Sequence, residues 1–215
     1  DVLQGTRFDM TTGLAAGPFG SPTRYATPGA MKPADRKAND WNRTISLFRC
    51  SYSFVAQVRG DIPDPLAAVA WFGEDQPLTT VYTPIYAGTT KVPESYMVGD
   101  RTKFDQKSTW WAFNFVANYA DRNFVAMYRD IKAEQDRIEG KFFAEQAAFE
   151  KTAMDLYAKS PKKAIKYITN AVNANLTQVD KDWWALAWNL VGKYFDGYEI
   201  TPEGKQKALG YPTEW

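Results

Sequence analysis

The chain contains no histidine among its 215 residues. This absence excludes a Ser-His-Asp or Cys-His arrangement within the chain, and it removes the side chain that most often binds zinc and other transition metals. Cys50 is the single cysteine, so no internal disulfide can form. One thiol does not report the redox compartment, which leaves the localisation open between cytoplasmic and secreted or periplasmic.

Long apolar runs and an excess of one charge are missing too. No stretch approaches the length of a membrane-spanning helix, and 26 Lys and Arg against 25 Asp and Glu give a net charge of +1. A nucleic-acid-binding surface would show a basic patch. No P-loop, dinucleotide fingerprint or metal-ligand cluster occurs. We therefore expect no membrane span, no nucleic-acid partner, no cofactor and no metal site.

The residues that are present can form a sizeable core, since 45% are hydrophobic and 15% aromatic. The length fits one domain or the larger part of one. Residues 1–40 are loop-rich, 41–88 have the pattern of antiparallel strands, and 105–196 that of helices. A long irregular lead-in is unusual at the start of a compact domain. We therefore expect residues 1–215 to be a portion of a domain that packs against a further part.

Three β-patterned runs predict an antiparallel meander. Arg43–Arg59 predicts one long strand, because β-branched and aromatic residues dominate it without Gly or Pro. The turn GDIPDP separates it from the second run, Ala67–Phe72, and the polar turn GEDQP separates that run from the third, Leu78–Tyr86. Pro84 has no amide hydrogen to donate, so the last strand is expected near an edge or a bulge.

Helical periodicity follows the strands. Lys107–Ala120 is apolar nearly all round, which predicts a buried helix, and a three-and-four spacing predicts a longer helix ending near Lys159. Ser160 is a suitable N-cap and Pro161 a suitable first residue for another helix. We expect that helix to be interrupted near residues 177–182. An antiparallel helix pair over a sheet gives the fold class α+β.

Arg49 is the main candidate site residue. On the predicted strand it is in line with Ile45 and Leu47, where a third aliphatic side chain would be expected. A buried guanidinium needs an anion or a strong acceptor. That partner is either a buried carboxylate, which would make Arg49 structural, or a substrate or reacting group. We interpret Cys50 as a small buried core residue, because no base lies near it in the sequence.

Four stretches occur in one order along the chain: GTRFDMTTGLAAGPFGSPTRY, RTISLFRCSYSFVAQVRGDIPDP, AWFGEDQPLTTVYTPIYAG and FDQKSTWWAFNFVANYA. Together they resemble the dipeptidase A family of cysteine peptidases. The late segment DKDWWALAWNLVGKYFDGYE is similar to the C-terminal region of that family. The resemblance therefore covers nearly the whole chain.

The resemblance implies an N-terminal nucleophile hydrolase, which is a four-layer αββα sandwich. A Cys, Ser or Thr at the mature N-terminus attacks an amide carbonyl there, and the free α-amino group is the base. The family uses a cysteine near the start of a longer chain, whereas no Cys lies near Asp1. We therefore expect this chain to be the C-terminal half of a dipeptidase, with its N-terminal half and a short-peptide substrate as partners.

Related penicillin and bile-salt amide hydrolases carry a similar Gly-Leu…Gly…Ser-Pro segment, followed by a strand arginine that reaches the nucleophile. The match of SLFRCSY gives Arg49 that role, and Arg24, in SPTRY, is a weaker candidate. Such an arginine favours the thiolate and stabilises charge on the reacting carbonyl. The resemblance thus implies that Arg49 is catalytic.

Two other functions remain open. One is an amide hydrolase of the same fold that acts on another acyl amide, and the other is a non-catalytic, helix-rich binding module. A site for the free α-amino or α-carboxyl group of a peptide would exclude the first, and a companion polypeptide that begins with Cys would exclude the second. The residues also leave open whether the chain forms a homo-oligomer.

Overall fold

The computed structural model describes residues 9–12, 16–23 and 44–211. Within them an antiparallel sheet is followed by long helices and then by a second, smaller sheet. This arrangement confirms the predicted α+β class with antiparallel strands before the helices. None of the helices formed by the described residues has both the length and the apolar character that crossing a bilayer requires.

The first sheet is a meander of three antiparallel strands, with one helical turn between the first two. Its elements are β1 (Tyr52–Val58), α1 (Asp64–Ala67), β2 (Ala68–Glu74) and β3 (Thr83–Tyr86). The middle strand is β2. Pro84 lies on β3, which is an edge of the described sheet, and pairs with Trp71 of β2. Its missing amide hydrogen predicts such an edge position. The predicted meander is therefore confirmed.

The strand predicted over Leu78–Tyr86 is correct only from Thr83 onward. The residues before Thr83 pair with no strand in the described part of the chain, and the side chain of Gln135, from a helix that follows the sheet, binds their backbone instead. The amide Nε2 of Gln135 donates to the carbonyl oxygens of Leu78 at 2.9 Å and Thr80 at 2.5 Å. A buried carbonyl needs a donor but not necessarily a strand, so the apolar pattern alone could not separate the two outcomes.

Three helices follow: α2 (Thr109–Ala120), α3 (Phe124–Lys159) and α4 (Pro161–Lys193). As predicted, Ser160 caps α4, because its Oγ accepts a hydrogen bond from the backbone N–H of Lys163 at 3.4 Å. Since Ser160 alone separates α3 from α4, the two helices pack as an antiparallel pair.

The predicted break near residues 177–182 is wrong, because α4 is continuous. Leu176, Val179 and Trp183 are all buried, and their three-and-four spacing keeps one helical face against the core through that stretch. Inside the core, the Trp183 ring stacks on Phe113 of α2 with centroids 4.6 Å apart. The packing therefore overrides the polar residues that suggested an end to the helix.

The helices cover one face of the first sheet. Val69 and Trp71 are buried on that face of β2, whereas the alternate residues are only half-buried. Phe113, Ile131 and Leu176, one from each long helix, belong to the same core. The core therefore lies between the sheet and the three helices.

An ion pair joins the sheet to α3. Arg59, just after β1, donates to both carboxylate oxygens of Glu150 at 2.8 and 2.9 Å. The Tyr86 hydroxyl and the Gln146 amide donate to the same carboxylate at 2.8 and 3.0 Å. Burial acts to raise the pKa of Glu150, but these donors hold it below its ordinary value.

A small antiparallel sheet follows α4. Its strands are β4 (Tyr194–Phe195), β5 (Tyr198–Ile200) and β6 (Gln206–Ala208). The β4–β5 turn consists of Asp196 and Gly197, with positive φ values of +52° and +78°. Asp196 is exposed, so its carboxylate stays hydrated.

Candidate active site

Two distant segments meet where β1 begins. The backbone N–H of Phe48 donates to the carbonyl oxygen of Thr23 at 3.2 Å. The described end of the SPTRY motif is therefore held next to the turn that carries Arg49. Arg24, the weaker catalytic candidate, directly follows Thr23 but lies outside the described residues.

The strand predicted over Arg43–Arg59 is wrong in its first half, because residues 44–51 form turns. The buried Thr44 hydroxyl donates to the carbonyl oxygen of Ser46 at 2.9 Å. The Ser46 hydroxyl in turn accepts from the backbone N–H of Leu78 at 2.7 Å. Short polar side chains that bond to nearby backbone compete with a strand ladder, so β1 begins only after them.

Arg49 lies within these turns and its side chain is exposed. Its guanidinium carbon is 5.4 Å from the centroid of the Phe48 ring, and no carboxylate among the described residues pairs with it. The predicted strand alignment with Ile45 and Leu47 is therefore wrong, and Ile45 is exposed as well. The guanidinium is accessible from solvent.

The end of β2 fixes the chain just after Arg49. The backbone N–H of Asp75 donates to the carbonyl oxygen of Ser51 at 2.9 Å. The indole Nε1 of Trp110, on α2, donates to the same oxygen at 3.1 Å. Donors from two different elements thus hold the residue two positions beyond Arg49.

Asp75 combines a buried carboxyl group with a left-handed backbone. It is 2% exposed with φ +60°, a region that Asp tolerates better than most residues. Burial raises the pKa of Asp75 to about 6, although donors from Asn114 and the backbone of Gln76 act to lower it; Asp121 adds to the rise. The Asn114 amide is 3.1 Å from Asp75 Oδ1.

Glu74 is the last residue of β2. It lies on the sheet face away from the helices, opposite Tyr52 in the register. Burial, followed by the neighbouring Asp75, raises the pKa of Glu74 to about 7. No hydrogen bond or ion pair joins its carboxylate to any described residue.

A further contact anchors the segment of residues 16–23. The Ser21 hydroxyl donates to Asp121 Oδ1 at 2.7 Å and lies 3.2 Å from the Thr23 hydroxyl. Asp121 lies at the connection between α2 and α3. The loop that precedes Arg24 is thereby fixed to the same helix that supplies Asn114 and Trp110.

Cys50 is half-buried rather than the fully buried core residue that was predicted. Its thiol Sγ donates a hydrogen bond to the carbonyl oxygen of Ile45 at 3.5 Å. The chain has no histidine that could activate this thiol. In the described part of the chain, no three His, Cys, Asp or Glu side chains are placed to hold a metal ion. The site thus offers an accessible guanidinium and two carboxyl groups, those of Glu74 and Asp75, whose pKa values are raised by burial.

Sequence reasoning missed the carboxyl groups of this site. GEDQP (Gly73–Pro77) was predicted only as a polar turn, yet β2 extends to Glu74 and Asp75 is buried. Two acidic residues at the end of an apolar strand were the available signal. No local pattern pointed to Asn114 or Asp121, because only the packing of α2 brings them to this end of the sheet.

The chain matches a known protein family. A model described as Peptidase family C69 matches residues 3–137, a stretch that includes the first sheet, α2 and the start of α3. This confirms the predicted resemblance to the dipeptidase A family. No curated protein matches the chain.

Proposed function

The chain belongs to peptidase family C69, and on this basis we propose that it is the C-terminal part of a cysteine dipeptidase with an N-terminal nucleophile. Residues 1–215 then form the second portion of a single αββα domain. The nucleophile is the N-terminal cysteine of a segment outside this chain, and the α-amino group of that cysteine is the base.

An exposed apolar sheet face supports a second half. Tyr52, Phe54 and Val58 alternate with the β1 residues that oppose buried Val69 and Trp71, so they point away from the helices. Their exposures are 58%, 58% and 78%. Contiguous apolar patches are uncommon on isolated domains, and a second sheet packed about 10 Å away would bury this one.

In this proposal Arg49 acts at the reacting centre. Its accessible guanidinium favours the thiolate of the incoming cysteine and stabilises the negative charge that develops on the substrate carbonyl. The bonds to the Ser51 carbonyl oxygen from Asp75 and Trp110 support this role, because they fix the turn relative to both sheet and helix.

The role of Arg49 is tested in the full-length protein. Arg49→Ala is expected to raise the barrier for dipeptide hydrolysis by about 2.7–4 kcal/mol, the cost of losing one oxyanion-type donor. Arg49→Lys should recover only part of the rate, because a point charge does not reproduce the guanidinium fork. Arg101→Ala, at another exposed arginine, is the control. Near-normal turnover in folded Arg49→Ala would transfer the role to Arg24 or another residue.

The origin of the nucleophile has its own test. N-terminal sequencing and intact mass of the natural protein should find a polypeptide that begins with Cys. The purified 215-residue chain should not hydrolyse dipeptides, and turnover that survives Cys50→Ala and repurification would contradict the proposal. Cleavage of other acyl amides but no dipeptide would favour the amide-hydrolase alternative.

A further inference from the structure

The carboxylate of Glu74 has no cationic partner among the described residues. Glu74 ends β2, it is partly buried, and no described Lys or Arg pairs with it. A partly buried carboxylate without a hydrogen-bond donor is unfavourable in the free protein. Its position at an open sheet face therefore points to a cation that arrives from outside the described residues.

The surroundings of Glu74 suit a cation. Across the strand pair, the rings of Tyr52 and Phe72 stack with centroids 5.7 Å apart on the same sheet face. The neighbouring carboxyl group of Asp75 adds negative potential. The negative charge of Glu74 also reaches Tyr96. Burial is the main cause of the raised pKa of Tyr96, and the charge of Glu74 is the next cause. Aromatic faces and carboxylates both attract an ammonium group.

We propose that Glu74 binds the α-ammonium group of a short-peptide substrate, an inference that rests on the function proposed above. An ammonium group brings three donors to a carboxylate that accepts from none of the described residues. A metal ion is a poorer candidate, because in the described part of the chain no set of three potential ligands surrounds this position.

The location relative to Arg49 fits a dipeptide. The Asp75–Ser51 hydrogen bond of 2.9 Å brings the residue after Glu74 next to the residue two positions beyond Arg49. In a dipeptide the scissile carbonyl carbon is separated from the α-nitrogen by a single Cα. A carboxylate that selects the free amino group must therefore lie close to the group that stabilises the carbonyl, and adjacent strands are only about 4.8 Å apart.

The experiment compares two substrates in the full-length protein at about pH 7.5. This pH lies above the pKa of Glu74, about 7, and below the ordinary pKa of a peptide α-ammonium group, about 7.7–8.0, so both groups are mostly charged. The substrates are alanyl-alanine and N-acetyl-alanyl-alanine, which lacks the ammonium group. Glu74→Gln should lower kcat/KM for the free dipeptide by about tenfold or more, the value of one charge-assisted hydrogen bond, and leave the acetylated substrate unchanged. Glu145→Gln, an exposed glutamate on α3, should change neither.

Equal losses for both substrates, or no loss for either, would overturn the proposal for Glu74 while leaving the peptidase function intact. If the parent protein hydrolyses neither substrate, the proposed function fails instead. Calorimetric titration with alanyl-alanine then tests Glu74 separately. About tenfold weaker binding to Glu74→Gln than to the parent supports the proposal, and equal binding or no binding to the parent overturns it.

Discussion

Replacing Asp75 with asparagine is expected to stabilise the protein at neutral and alkaline pH. Asp75 is 2% exposed, so its charged form is deprived of water. The asparagine side chain would carry no charge and would keep an amide oxygen to accept from Asn114. Asparagine would also tolerate the φ of +60° at least as well as aspartate does.

The magnitude follows from the shift in the pKa of Asp75, from an ordinary 3.8 to about 6. The native state holds this proton more tightly than the unfolded chain does. The stability that comes from holding this proton is therefore complete below about pH 4 and is lost as the pH rises to about 6. At 1.36 kcal/mol for each pKa unit, the difference reaches at most about 3 kcal/mol above pH 6.

Urea unfolding of the parent chain and Asp75→Asn at about pH 4.5 and pH 8 measures this difference. The variant should gain about 1–3 kcal/mol at pH 8 and much less at pH 4.5. Asp196→Asn is the matched control, because Asp196 also has a positive φ, of +52°, but is exposed. It should report the backbone effect without the burial of charge.

Neutralising Asp75 also removes one cause of the raised pKa of Glu74, which acts in the same direction. An equal gain at both pH values would mean that backbone conformation, not desolvation, explains the change. A loss of stability at pH 8 would refute the reasoning, because it would show that the Asp75 carboxylate contributes favourable bonds that outweigh its burial.

Changes at an ion pair and at two glycines test the packing. Glu150→Ala should lower the free energy of unfolding by about 3 kcal/mol in urea titration, because it leaves Arg59 half-buried without its counter-ion, and Arg59→Met in the same chain should restore part of the loss. Gly73→Ala should cost about 1–3 kcal/mol, because a Cβ there would lie 2.6 Å from Thr80 Cγ2. Gly140→Ala, in a helix where an added Cβ would meet no atom of the described residues within 4 Å, should instead stabilise by about 0.5–1 kcal/mol.

Each of these changes has an outcome that contradicts it. A double variant at Arg59 and Glu150 that is less stable than Glu150→Ala alone would show that Arg59 contributes through its bond to the Leu66 carbonyl oxygen rather than through the ion pair. Gly73→Ala and Gly140→Ala with equal melting temperatures would show that Thr80 moves aside without cost.

Local patterns were sufficient for the elements that depend on neighbours in sequence. Runs with a period of two predicted the meander. Pro84, which has no amide hydrogen to donate, predicted an edge strand. Ser160 and Pro161 marked the start of α4 because a cap needs only the residues that follow it. The order of the family motifs along the chain could likewise be recognised without a structure.

The same patterns failed where a distant contact decided the outcome. The first half of Arg43–Arg59 has strand-like residues, but Thr44 and Ser46 bond to nearby and distant backbone, so the chain turns there. The polar residues at 177–182 resemble a helix end, yet buried Val179 and Trp183 keep α4 continuous.

The sequence by itself determined the family, the α+β class and the choice of Arg49, because motif order and side-chain periodicity are properties of the chain alone. Only the tertiary structure showed that Arg49 is exposed, that Asp75 is buried, and that Glu74 has no described partner. Burial and hydrogen-bond partners depend on which strand ends meet and which helix covers them. A residue's pKa and accessibility are set by those long-range contacts, and no local pattern records them.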